Sequence, residues 1–196
     1  MQLVVLKIYR IKSPLLYKIV MVIFLKKFAI INTFLTFFFG FLIHGIYSWY
    51  PSVVTSIFPV NESLYEHIKL IFYSPIFSSI ILYFIFKKKG IPINNLVYGL
   101  LVSTLFNIFL FYLIFIPVYR ETGENIVITL GIYFITICVS QYLNYLIICK
   151  DNHKLLNIIS AVILLIATIP LTYLTYHPKK NDFFRDPKTN QYGIKK

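Results

Sequence analysis

The stretch Phe58-Pro59-Val60-Asn61-Glu62-Ser63-Leu64-Tyr65-Glu66-His67-Ile68-Lys69 decides how this chain is read. Two carboxylates, one imidazole, one ammonium and one amide fall within nine positions, directly in front of an apolar run that continues to Phe86. Working outward, further apolar runs of about 20 residues lie on both sides, the length that crosses a hydrocarbon core. The polar box is therefore expected at one face of a bilayer, held there by membrane helices.

Composition supports that reading. With 58% hydrophobic and only 13% charged residues, the 196-residue chain has too little polar surface for a soluble domain of its length. The expected class is an all-α integral membrane helical bundle with about five transmembrane helices. The net charge of +12 suggests nucleic acid at first sight. Its lysines, however, sit in short clusters between apolar runs, as flanks against anionic lipid do, so nucleic acid is set aside and the bilayer is the expected partner. Cys138 and Cys149 have no metal-type spacing and read as free thiols. Heavy use of Ile, Phe, Lys and Asn suits an AT-rich bacterial genome.

Residues 1–27 form a basic N-terminal extension in which Lys7, Arg10, Lys12 and Lys18 interrupt the apolar residues. Three readings stay open: an interfacial helix, a signal-like segment without a small-residue cleavage site, or a natural start at Met21. Span 1 is expected from Phe28 to about Ser48, with His44 near its end and Tyr47, Trp49 and Tyr50 as an aromatic belt. Span 2 starts in the box and ends at Phe86, with Pro75 inside it. Span 3 is Leu96–Ile116, bounded by Pro117, with Gly99, Ser103 and Asn107 on one packing face. Span 4 is Ile126–Ile148, and span 5 is Leu155 to about Tyr173, with Ala161, Thr168, Thr172 and Thr175 as a second packing stripe. The membrane domain thus covers 28–175 and a polar tail covers 176–196. The lysine distribution of the short loops predicts a cell-membrane protein with a cytoplasmic N-terminus and an external C-terminus. Box, tail and the His44 end of span 1 then share the outer face.

Within the box, Ser63 and Glu66 fit a helix-capping pair. Lys69 is expected to pair with Glu66 and snorkel to the interface. On that account the box starts span 2 and docks the tail, and a structural or partner-binding role comes first, with a membrane-protein partner possible and the oligomeric state open. The second reading is an outer-face enzyme, a metal or acid–base hydrolase. Glu62 and Glu66, four apart, share a helix face, His67 lies about 100° away, and His44 approaches from span 1. A divalent metal is the implied cofactor. Asn61, Ser63, Lys69, Arg185 and Asp186 are binding or structural candidates beside these four, with Arg185 the expected partner of a box carboxylate. The spacings fit no zinc-protease His-Glu-x-x-His, no di-metal Glu-x-x-His and no nucleophile elbow. A small transporter or channel comes third, because the middle of each span lacks an ionisable group.

These residues carry a resemblance. Pro59 to Phe72 resembles the Pro-Val-Asn-Glu-Ser-x-aromatic-Glu-His-x-Lys-Leu-x-Phe signature of a bacterial domain-of-unknown-function family of small multi-pass membrane proteins. His44 to Trp49 is similar to the His-aromatic-x-x-Trp end of its first helix. The tail from Phe184 to Ile194 is similar to its Phe-x-Asp-Pro-x-Thr-Gly-x-Tyr-Gly ending, with Asn190 in the place of Gly. Tyr65 stands where Trp is common. The resemblance covers about 28–194, which favours a start at Met21, and implies membership without an assigned activity.

Overall fold

A computed structural model describes residues 13–50, 55–123 and 125–194. Among them are five α-helices and no strand: α1 (Pro14–Trp49), α2 (Leu64–Lys88), α3 (Leu96–Thr122), α4 (Ile126–Ile148) and α5 (Lys154–Tyr176). Each is long and apolar enough to cross a membrane. Their outward faces are apolar too: Phe34, Phe109 and Leu165 are all exposed, as a bilayer solvent requires. Successive helices run antiparallel. The end of α1, the start of α2, the end of α3, the start of α4 and the end of α5 therefore meet at one end of the bundle.

Helix ends follow local chemistry. The Ser63 hydroxyl accepts from the Glu66 amide and starts α2. The α2 C-terminus closes with Gly90 at φ 65, the Ile91 amide donating to Phe86 O and the Gly90 amide to Lys87 O, the paired bonds of a Schellman stop. The first amides of α3 are capped from outside: Val97 and Tyr98 donate to Asn157 Oδ1 of α5. Asn95 holds the α4–α5 loop, donating to Asp151 O and accepting from the His153 amide at 2.7 Å.

Two expected boundaries move. α1 runs unbroken from Pro14, across the expected start at Phe28, because lysines favour helix and no Pro or Gly lies between Leu15 and Phe39. Leu25 and Phe28 pack against Leu82, Phe86 and Ile148, so the helix joins the core before residue 28. The expectations for residues 1–12 lie outside the described residues. α3 does not stop at Pro117 but continues to Thr122, ending at Gly123 with φ 70. Proline removes one amide and helps a kink, yet packed neighbours carry a helix through it.

The core has two parts. Ile43, Ile71, Phe72, Phe111 and Ile137 fill the half nearer the polar box. Between them and the Leu25–Phe28 cluster lies a polar seam. Asn32 donates to Gln141 Oε1 and Ser79 Oγ, Asn144 donates to the same Gln141 oxygen, and Thr36 bonds Ser78. Gly99, Ser103 and Asn107 are buried on one face of α3, as their spacing predicts. Asn107 Oδ1 has no hydrogen-bond partner among the described residues. Of the α5 stripe only Thr175 is buried; Ala161, Thr168 and Thr172 are half-buried.

Candidate metal centre

Glu62 precedes the N-cap Ser63 and so is not part of α2. The expected shared helix face of Glu62 and Glu66 therefore does not exist, and the two carboxylates turn into different surroundings. Glu66 points inward. Its Oε2 lies 2.6 Å from Lys69 Nζ and accepts the Val60 amide, while Oε1 accepts from the Thr175 hydroxyl. This is half a capping box, since Glu66 reaches back to Val60, and the Ser63 amide goes to Asn61 Oδ1. Lys69 does not snorkel. It is fully buried and donates to Thr55 O, Phe58 O and Thr175 Oγ1. The Glu66 carboxylate, two loop carbonyls and the Thr175 hydroxyl give the ammonium its partners inside the protein.

Glu62 faces the other way, toward two imidazoles. His44 Nε2, from the last turns of α1, is 3.2 Å from Glu62 Oε2, and His67 Nε2, from the first turn of α2, is 3.7 Å from the same oxygen. The three ligand atoms lie within 4.8 Å of one another. His67 Nδ1 sits 2.9 Å from Ser63 O. Donating there fixes the tautomer that leaves Nε2 as a lone pair aimed at the cluster. All three side chains are partly open, with Glu62 28% exposed. The Glu62 carboxyl is held down from 4.5 to about 2, chiefly by the hydrogen bond from His44, with both imidazoles and Lys188 adding to it against burial. It is an anion at any ordinary pH.

The tail closes one side of this cluster. The Tyr65 amide donates to Phe183 O, its ring stacks on Phe184 at 4.6 Å, and Asn61 Nδ2 donates to Gly193 O. Asp186, only 1% exposed, builds a turn by accepting the Lys188 amide and the Thr189 hydroxyl, with Asn190 left-handed at φ 56. Arg185 does not reach a box carboxylate. It pairs with Asp182 in solvent, because the Arg185–Tyr192 bridge sets the turn so that Lys188 projects to the box. Lys188 Nζ lies 3.2 Å from Glu62 Oε1. Sequence reasoning missed Lys188 and Thr175. Lys188 follows an Asp-Pro turn start, a signal for a projecting side chain but not for its target.

A family of unknown function, DUF6512, matches residues 2–194. The chain belongs to this family. The DUF6512 match includes the N-terminal residues that the sequence resemblance, placed at 28–194, leaves out. No curated protein and no solved structure matches the chain. Both motif regions, the box and the tail, lie within the DUF6512 match.

Proposed function

We propose that this membrane protein binds one divalent transition-metal ion through His67 Nε2, Glu62 and His44 Nε2, the last giving up the proton it shares with Glu62, at the end of the bundle that the lysine pattern favours as the outer one. The observation that carries the reading is the spacing of the three atoms. Ligands about 2.0–2.1 Å from a tetrahedral ion stand about 3.4 Å apart. The 3.2 Å and 3.7 Å separations from Glu62 Oε2 bracket that distance, and all three atoms lie within 4.8 Å of one another. The Ser63 carbonyl behind His67 is the outer partner that ligating histidines use. Two nitrogens and one carboxylate suit zinc and its neighbours, and three protein ligands leave a coordination position open, the arrangement of catalytic rather than structural sites. A bound ion there would supply Lewis acidity and an acidified water. Glu66 is not a second acid–base carboxylate at this centre, because Lys69 and Thr175 occupy it. The hydrolytic reading thus rests on the metal alone.

Metal content of protein purified in mild detergent without a histidine tag tests this. About one equivalent of zinc or a neighbouring ion is expected, falling to background in H44A/H67A, a removal of two of the three ligands. Metal-free wild-type protein that does not take up added zinc overturns the reading. In that outcome the second reading stands, which the Lys188–Glu62 pair favours: Glu62 and the imidazoles clamp the tail onto the membrane domain.

A further inference from the structure

We infer that Lys188 and the metal ion exclude each other on Glu62, making the C-terminal turn a built-in competitor that sets the metal affinity of the site. The inference rests on the metal-binding reading above. Glu62 offers two oxygens: Oε2 faces His44 and His67, and Oε1 takes the Lys188 ammonium at 3.2 Å. The Lys188 ammonium supplies one positive charge next to the carboxylate. An ion seated on Oε2 places a double charge about 4–5 Å from that ammonium, and like charges at this range repel strongly in a half-buried setting. The side chain has somewhere to go. Lys188 is 55% exposed, so it rehydrates on leaving at little cost. Its backbone has not. The turn is locked by Asp186 on the Lys188 amide and Thr189, by Asn61 on Gly193 O, and by Phe184 on Tyr65. The exchange is therefore a swing of one side chain on a fixed turn, with the ammonium held ready to return.

The fixed turn also explains why the competitor acts at a tail position rather than through Arg185. Asp182 already holds that guanidinium, on the solvent side. A tethered ammonium has a high effective concentration at Glu62, and any binding energy it gains there is subtracted from the ion's.

The test is zinc affinity of the full-length protein in detergent, by competition with a chromophoric chelator, for wild type, K188Q and K188R. Removing the competing charge in K188Q is expected to tighten zinc by about tenfold or more. K188R keeps the charge and is expected to stay near wild type. In parallel, acetylation of Lys188 relative to the exposed Lys179 is read by mass spectrometry with and without zinc, and is expected to speed up severalfold on loading. Equal affinities for wild type and K188Q, or an unchanged acetylation ratio on a loaded protein, overturn the exclusion and leave the metal site standing. Weaker zinc binding by K188Q also overturns it. Failure of both wild type and K188Q to bind zinc rejects the metal reading itself.

Discussion

Lys69 is the residue whose environment most constrains the box. Its ammonium is fully buried against Glu66, with two loop carbonyls and the Thr175 hydroxyl completing its shell. One side chain thereby ties α2 to the loop ahead of it and to the end of α5. A buried pair is weak evidence for net stabilisation, but breaking one is expensive, because the surviving charge is left without a counterion. K69M is expected to lower stability by about 3–5 kcal/mol. E66Q/K69M should recover most of that loss, since the amide still accepts from Val60 and no unpaired charge remains. Thermal unfolding in detergent, followed by monodisperse elution, checks both. If the double variant is no better than the single one, the pair is not the reason for the loss.

At the scale of the helices, close approach is set by small residues and by hydrogen-bonded side chains, since lipid offers no hydrophobic drive for helices to associate. Gly40 of α1 lies under Tyr133 of α4: a Cβ there meets the phenolic oxygen at 2.7 Å and a ring carbon at 2.8 Å. The same hydroxyl bonds Ser74 of α2 at 3.0 Å, so the ring cannot simply turn away. G40A is expected to cost about 1–3 kcal/mol as overpacking. Adding Y133F removes the closest atom and should return part of it, a non-additivity that a double-mutant cycle reads. Additive costs would mean that Gly40 and Tyr133 do not share this contact. The α1 and α3 boundaries belong to this scale too. Charges within a helix are legible as interruptions of apolar sequence, but they do not interrupt a helix, and Pro117 is legible as a stop only until packed neighbours hold the next turn.

For the whole molecule, the five described helices alternate in direction, which puts box and tail at one end and the lysines after α2 and α4 at the other. Lys87, Lys88, Lys89, Lys150 and Lys154 all fall at that second end, a distribution that predicts a cytoplasmic face there. Reporter fusions after Lys89 and Lys154 are expected to read cytoplasmic, and fusions at Asn125 and at the C-terminus external. Opposite readings at Lys89 and at the C-terminus would show an odd number of crossings between them, and opposite readings at the two ends of the chain would confirm the odd total. A cytoplasmic reading at both ends of the chain would refute it.

The sequence by itself determined the class, the number of long apolar helices and the capping of α2 by Ser63, and it singled out His44, Glu62 and His67, whose ligand atoms the fold brings within 4.8 Å of one another. The class, the helix count, the cap and the choice of those three residues follow from length, local hydrogen bonding and residue type, which are one-dimensional properties. Only the tertiary structure decided that the two glutamates part company. Glu62 stands one residue before the N-cap Ser63, outside α2, and a helix-face rule applies only inside a helix. It also decided that Lys69 turns inward rather than to the interface, and that Lys188 rather than Arg185 meets the box. Each of those choices depends on what stands opposite: Thr175 from the far end of α5 for Lys69, Asp182 for Arg185, and an Asp186 turn that aims one ammonium at one carboxylate. A side chain's partner is a matter of distance in space, and separations of more than 100 residues in sequence carry no local signal of it.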